Sequence, residues 1–525
     1  MSERGDAAKP DAYGLDELAA RQARALAMGG EDKLARQRTK GRLNARERID
    51  GLLDPGSFQE LGLLAQSDRA EVAALTPADG KICGHGAIEG RPVFVGADDV
   101  TVMAGAGGRV GVGKLLRHMA YAVEKGYPCI QLGDAGGARV PDIMGAAGMM
   151  SMVYPIEHQP PRDRRVPLIT AIMGECFGGS TWTASLSDLV VQVKGSAMCV
   201  GGPSILEIAT GEQASVEELG GWELHARTTG QVDLFADSDA EALKLVRRAL
   251  GYFPQHAGAL PSRLRGEDTA QRRLDDVFDL VPEDPRRVYD MHRLIDAIVD
   301  PGSVLELKPH YDGSLITALA RIDGRVVGLL ANNPKVTAGA MGPGACEKAT
   351  SFICLCDSFH IPLVFLHDTP GFFVGKRAEE RQMPLKIMTM IEALHQCSVP
   401  RISVIVRKSY GMAHCNMSGG NMGADCVLAW PTADISFMAP AVAVNVVHGR
   451  KLAAMADGAA ARQALMDEIA RANAPWEAAA RNYIDRIIDP RDTRIELVQA
   501  LARACGPDGE GARSRRRLAN WPRMA

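Results

Sequence analysis

The chain has 525 residues, 46% hydrophobic and 24% charged but only 5% aromatic, with 55 glycines against an ordinary share of about 7%. A formal charge of −4, from 60 basic and 64 acidic residues, argues against nucleic acid as a partner, and the length excludes a disulfide-held mini-protein. Eleven cysteines with no C-x-x-C pair read as reduced thiols, and the lack of an apolar leader or of a run of about 18 apolar residues predicts a cytoplasmic protein with no membrane span.

Along the chain, LDELAARQARALAM and NARERIDGLL are amphipathic patterns bounded by charge, which predict helices in an N-terminal arm or docking segment. DPGSFQEL (54–61) precedes AIEGRPVFV from Ala87, where Glu89-Gly90 predicts a hairpin turn. GGRVGVGKLL, Gly107 to Leu116, nearly fits the phosphate-loop pattern, but Leu115 stands where a Mg²⁺-holding hydroxyl belongs, so nucleotidase chemistry is disfavoured. Its glycine amides, with Arg109 and Lys114 at a helix start, suit a phosphorylated ligand such as coenzyme A; a plain loop entering a helix accounts for the same residues. GYPCIQLGDAGGARV from Gly126 predicts a buried strand ending in a glycine turn at Gly136, Gly137 and Ala138. VPLITAIMGECFGGS from Val166 predicts a second strand and a small-residue turn into a helix, followed by DLVVQVKGSAMCVGGP from Asp188. Residues 254–285, rich in Pro, Arg and Asp, predict a linker or peripheral helix.

The pattern then starts again. DPGSVLEL (300–307), RIDGRVVGL from Arg321, HIPLVFLHDTPGFFV from His360, VPRISVIVRKSYGMA from Val399 and DCVLAWPTADISFMAP from Asp425 repeat the earlier segments at offsets of 246, 234, 234, 233 and 237. Strand-like runs alternating with helical patterns predict α/β architecture with a mainly parallel sheet in each copy, and domains at 1–255 and 256–525. The run Arg513 to Arg517 reads as a solvated chain end.

Two equivalent segments, CFGGST (Cys176 to Thr181) and SYGMAHC (Ser409 to Cys415), each follow an apolar strand and enter a helix. Such a turn presents unpaired N–H groups to the negative charge that develops on a thioester or enolate oxygen; tight helix-on-strand packing is the alternative. Ser180 lacks an identifiable histidine partner and reads as a capping or packing hydroxyl, whereas adjacent His414 and Cys415 make a poor dyad and read as pocket wall or plain structure. No H-E-x-x-H, no G-x-S-x-G and no metal-ligand spacing occurs.

Taken together, ARERIDGLLDPGSF, GDAGGAR, GECFGGS, TGEQASVEELGG, CEKA, DTPGFFVG, RKSYG and AWPTADISFM resemble the carboxyltransferase (β) subunits of biotin-dependent acyl-CoA carboxylases, over about residues 32–500. The resemblance implies a tandem duplicated crotonase-like fold and transfer of a carboxyl group from carboxybiotin to the α-carbon of an acyl-CoA. It implies that the Gly178 and Gly179 amides polarise the thioester carbonyl and that Met412 and Ala413 hold the biotin ureido oxygen, or the reverse. It places Arg109, Lys114, Gly136, Gly137, Ala138, Gly371 and Phe372 on the cofactor-binding side, and Ser180, His414 and Cys415 in the substrate pocket. It further implies a separate biotin carboxylase and biotin carrier (α) subunit, since no biotinyl-lysine motif is found here, and a hexamer of this chain. A biotin-linked decarboxylase and a non-catalytic assembly subunit are the alternatives. Three departures stand out: Met412 replaces a glycine and crowds its turn, Cys415 replaces the aspartate of propionyl-type enzymes, and Ala135 replaces a common serine. The second suggests a less polar acyl pocket, open to longer or branched acyl groups.

Overall fold

The computed structural model describes residues 13–152, 163–264, 266, 268–284, 286–454 and 457–521. Residues 1–11, MSERGDAAKPD, on which the reading of a missing leader rests, lie outside these. The chain divides into two compact units: Met1–Pro161, Leu168–Leu224 and Phe235–Arg247 form the first, and Arg162–Pro167, His225–Leu234 and Arg248–Ala525 the second. The last piece of the first unit ends at Arg247, and two short segments of the first half cluster with the second unit. Among the described residues no helix is long and apolar enough to cross a membrane.

The first unit contains β1 (Gln59–Leu61), β2 (Lys81–Ile88), β3 (Arg91–Asp98), β4 (Cys129–Gly133), β5 (Leu168–Ile172), β6 (Glu175–Phe177), β7 (Leu189–Val193), β8 (Ala197–Cys199) and β9 (Leu234–Ala236). Seven of them make one sheet, in the order β1-β2-β3-β4-β5-β7-β9, while β6 and β8 pair as a separate ribbon. The second unit contains β10 (Leu305–Leu307), β11 (Leu315–Ile322), β12 (Arg325–Asn332), β13 (Leu363–Thr369), β14 (Arg401–Tyr410), β15 (Cys426–Ala429), β16 (Asp434–Ser436) and β17 (Arg486–Ile487). Its order is β10-β11-β12-β13-β14-β15-β17, and β16 pairs with the far end of β14. In both, an antiparallel hairpin leads into parallel strands, β3 to β4 to β5 to β7 and β12 to β13 to β14 to β15. Parallel strands need helical crossovers, so both faces of such a sheet are covered and its strands read as continuous apolar runs.

The duplication extends to individual hydrogen bonds. Asp54 accepts from the Glu89 and Gly90 amides at 3.0 and 2.8 Å, and Asp300 accepts from Asp323 and Gly324 at 2.9 and 2.7 Å. Both turns hold two residues at positive φ, as a two-residue hairpin of the type I′ form requires. Asp188 accepts from Leu168 N–H at 3.0 Å and Asp425 from Arg401 N–H at 2.8 Å, so each fixes the start of a parallel strand. The crossover helices α1 (Arg109–Lys125) and α2 (Pro343–Ser358) each bury a lysine at the same place, Lys114 and Lys348.

Three sequence expectations sharpen or change on folding. NARERIDGLL is the docking helix of its two readings and not a free arm: Asn44 and Glu47 form a capping box, and Arg48, 1% exposed, reaches Asp134 and Asp239 at 2.9 Å each. Burying a guanidinium is tolerable only with its charge and donors so matched. The stretch 254–285 is no free linker either, because Leu274 and Val277 enter the second unit's core beside Met291, Leu294 and Ile298. The basic tail is not simply solvated. Ser514 N–H donates to buried His360 Nδ1 at 2.9 Å, Arg516 Nη2 donates to the Arg164 carbonyl at 2.9 Å, and Leu518 is fully buried.

Candidate active site

In each unit a strand ends at a turn and a short helix begins there. The ribbon β6–β8 pairs Glu175 with Ala197 and Phe177 with Cys199, and the end of β14 pairs Lys408 with Asp434 and Tyr410 with Ser436 in β16. This shared register makes Gly178 equivalent to Gly411, Gly179 to Met412 and Ser180 to Ala413. Gly178 and Gly411 both lie at φ 59°, and Gly178 has ψ −113°, a conformation that a Cβ opposes. The helices α3 (Gly179–Leu186) and α4 (Gly411–Asn416) have no side-chain cap. Among the described residues, the amides of Gly179 and Ser180, and of Met412 and Ala413, find no acceptor.

The sequence-predicted pairs are therefore one residue out of step. Gly178 N–H donates to the Cys199 carbonyl at 3.2 Å, so it braces the ribbon and is not a free donor. The member that both pairs share, Gly179 and Met412, lies in the first turn of the helix in each unit, as its first residue in one and its second in the other. Met412 does not crowd the turn either: its side chain is 42% exposed, and a Cβ built on Gly179 meets nothing within 4 Å.

A glycine turn flanks each helix start. Gly107 N–H donates to Gly137 O at 2.8 Å and Arg139 N–H to Gly107 O at 2.9 Å; Met341 N–H donates to Gly371 O at 3.1 Å and Phe373 N–H to Met341 O at 2.9 Å. These bridges leave the amides of Ala138 and Phe372 on the other side of the strand, without an acceptor among the described residues. Gly136 N–H is held by the Ala104 carbonyl at 2.9 Å. The two turns differ in one donor. Thr369 Oγ1 accepts the Gly371 N–H at 3.2 Å, whereas its equivalent Ala135 has no hydroxyl and Gly137 N–H stays unpaired among the described residues.

The cations expected at the start of α1 are engaged elsewhere. Lys114 Nζ donates to the carbonyls of Gly62 and Ala78 at 2.9 and 2.8 Å, and burial lowers its pKa. Lys348 Nζ likewise donates to Tyr311 O at 2.8 Å, and burial pushes its ammonium down to about 8. A lysine that recurs in this form in both units serves the fold. Arg109 donates to Asp68 at 2.9 Å and to the Asp142 carbonyl at 2.6 Å. Asp79 takes the Gly111 amide at 2.6 Å, so the N-terminus of α1 already holds a carboxylate. Arg109 and Lys114 thus form no phosphate cradle in this structure.

The two units differ most beneath their helix starts. Ser180 Oγ donates to buried Asp98 at 3.0 Å, which also takes Lys81 Nζ at 2.6 Å and the Asp134 amide at 3.1 Å. Ser180 is thereby a fixed hydroxyl and no nucleophile. In the second unit, Ser409 Oγ lies 2.9 Å from both His367 Nδ1 and His414 Nδ1. One ring offers Nδ1–H and the other a lone pair, an arrangement that two neutral imidazoles satisfy. Burial lowers the pKa of both, His367 well below its ordinary value. Gly133, Cys176 and Thr181 occupy these places in the first unit, and laying one copy over the other would have exposed the polar trio. Cys415 is half-buried and accepts from Asn421 Nδ2 at 3.3 Å.

A carboxyl transferase domain matches residues 36–513. The propionyl-CoA carboxylase carboxyltransferase subunit of Haloferax mediterranei is 36% identical over 93% of this chain and 95% of its own. The biotin-dependent acetyl-/propionyl-coenzyme A carboxylase beta5 subunit of Mycobacterium tuberculosis is 35% identical over 93% and 91%. The transcarboxylase 12S crystal structure, a hexamer assembly with methylmalonyl-coenzyme A and methylmalonic acid bound, superposes with a TM-score of 0.87 at 34% identity, covering 96% of this chain and 97% of that one.

The chain belongs to the carboxyl transferase family.

It is an enzyme of the carboxyltransferase class found in acyl-CoA carboxylases, built on the duplicated α/β crotonase-like fold that the resemblance implied and with which the sequence repeat agrees.

Proposed function

We propose that this carboxyltransferase transfers a carboxyl group from carboxybiotin, carried on a separate biotin carboxylase and carrier subunit, to the α-carbon of an acyl-CoA, and works as a hexamer. The observation that carries this reading is the equivalence of Gly179 and Met412. Each lies in the first turn of a helix that lacks a side-chain cap, with a free amide at a place where charge on oxygen can be received. Gly179, with Ser180 and the neighbouring Ala138 amide, would polarise the thioester carbonyl. Met412 and Ala413 would hold the ureido oxygen, and neutral His414 and Cys415 border them. Carboxybiotin, when bound there, would supply both the carboxyl group and the base for the α-proton. With that role filled, the lack of a protein base is no obstacle. The decarboxylase direction uses the same amides. The assembly-subunit alternative depended on a blocked second turn, and an exposed Met412 takes that support away. We also propose that Cys415, with no carboxylate to offer, favours acyl groups larger than propionyl.

Proline in the first turn, where no intrahelical bond uses the amide, keeps the helix but deletes the amide hydrogen. Gly179→Pro and Met412→Pro are expected to assemble as the parent does and to lose at least about 100-fold in turnover, the scale of one lost oxyanion donor. Full turnover in both variants would sink the amide mechanism. An avidin blot after pull-down from the native host should reveal a biotinylated partner. Steady-state preference for acetyl-CoA or propionyl-CoA over larger thioesters would end the acyl-pocket proposal.

A further inference from the structure

Beneath the second helix start lies a polar contact that the chemistry above does not use. Ser409 Oγ on β14 is 2.9 Å from His367 Nδ1 on β13 and 2.9 Å from His414 Nδ1 on α4, so one hydroxyl joins three elements. We infer that Ser409 is a positioning residue, whose hydroxyl fixes the first turn of α4 and with it the aim of the Met412 and Ala413 amides. The role rests on the reading of those amides as receivers of the biotin ureido oxygen.

The hydroxyl sits where the strands leave regular pairing. β13 and β14 run in parallel register as far as His367 opposite Ile405, and the next pair is Thr369 opposite Ser409, so β14 bulges just before the turn. A bulge re-aims the chain that follows it, and the bond from Ser409 to His367 spans this one. Both residues are 0% exposed, so bulk water does not compete for that bond. The bond to His414 ties the helix to the same point. That ring has little room to turn away: it packs edge-on against His367 with centroids 5.8 Å apart, and a Cβ on Gly419 would collide with its Nε2. The first unit fastens its helix at the equivalent place with other atoms. Thr181, which corresponds to His414, has its Oγ1 at 2.9 and 3.0 Å from the Cys176 and Cys199 carbonyls. The third residue after the turn glycine is thus tethered to the preceding strand in both copies, by unlike side chains.

The direction of the bonds follows from a single proton. A hydroxyl has one hydrogen, so Ser409 donates to one Nδ1 and accepts from the other. His367 Nε2 is buried without a hydrogen bond among the described residues, and the Met417 carbonyl, an acceptor, acts on that ring. Beside a carbonyl an N–H costs less than a lone pair, so His367 presents its lone pair at Nδ1 and His414 carries its proton there.

The test is steady-state turnover of the purified full-length chain, with free carboxybiotin as donor and propionyl-, butyryl- and isovaleryl-CoA as acceptors. Ser409→Ala and His414→Leu, which break the tether from either side, should each lose about tenfold in kcat, as expected for donors moved by a fraction of an ångström. Their KM for acyl-CoA should hold, because the thioester is assigned to the first unit's amides. Ser409→Thr keeps the hydroxyl and should recover most of the turnover, even where its added methyl lowers the melting temperature. Wild-type kcat in either tether-breaking variant overturns the role, as does a folded Ser409→Thr protein as slow as Ser409→Ala; the carboxyl-transfer reading survives both results. A wild-type protein that turns over none of the three acceptors overturns that reading, and the role with it. Nitrogen-15 spectra of the wild-type rings test the bridge without any variant. They should show His367 and His414 in opposite tautomers, and the same tautomer in both would mean that no hydroxyl joins them, which overturns the inference.

Discussion

At the scale of single residues, the buried lysines and histidines carry the clearest expectations. Lys114 and Lys348 satisfy main-chain carbonyls from inside the fold, so Lys114→Met should cost about 1–3 kcal/mol in urea denaturation, the penalty of stranding buried acceptors. The KM for acyl-CoA of the folded fraction should stay at the wild-type value; a large rise in KM at unchanged stability would restore Lys114 as a ligand. The histidine pair gives a pH dependence whose sign follows from linkage. In the unfolded chain an imidazole takes up a proton near pH 6.5, while burial holds His367 and His414 neutral in the fold to lower pH. As pH falls through about 6.5 the unfolded state binds protons that the folded state refuses, so stability drops. Urea midpoints at pH 7.5 and 5.5 should show this loss, and a His367→Gln/His414→Gln protein should show less of it.

At the scale of elements, the strand-turn-helix unit carries the proposed donors. Gly178 and Gly411 enforce a backbone that L-residues resist, and Gly411 is also crowded, since a Cβ there would lie 3.1 Å from the Phe437 carbonyl. Gly178→Ala and Gly411→Ala should each destabilise by about 1–3 kcal/mol and displace the amide that follows. Gly179→Met, by contrast, should fold normally, because that position opens into free space and the second copy already carries methionine there. Thermal melts of the three variants would reveal the contrast. This element was legible in the sequence as a small-residue turn after an apolar strand, at matching offsets in both copies. Which amide is free was not legible, since that depends on Gly178 being taken by Cys199 across a ribbon too short for any periodicity to announce. The engagement of Arg109 and Lys114 was hidden for a similar reason. Their partners Asp68, Asp142, Gly62 and Ala78 come from distant segments, and a basic residue at a helix start looks the same whether it faces a phosphate or a carbonyl.

On the scale of the whole molecule, the sequence conveyed the two copies and their α/β character, because a repeated order of strands, turns and helices survives in linear form. It misjudged the ends. The first fifty residues and the last dozen look peripheral by composition, yet Arg48 is among the most buried side chains and the tail is fastened through His360, Arg164 and Leu518. Removing the residues after Ala512 should lower the melting temperature by roughly 5 °C, from the burial of Leu518 alone. An unchanged melting curve would show that the tail contributes nothing.

Because Asp54 and Asp300 brace their hairpins with the same pair of bonds, while only one copy carries the imidazoles around its serine, the chain holds its own control experiment. A perturbation made in one half has an unperturbed twin in the same tube, at the same concentration, pH and temperature. The His367 and His414 ring signals in an NMR spectrum would report on the second copy alone, and no second protein would be needed to say what the scaffold does without them.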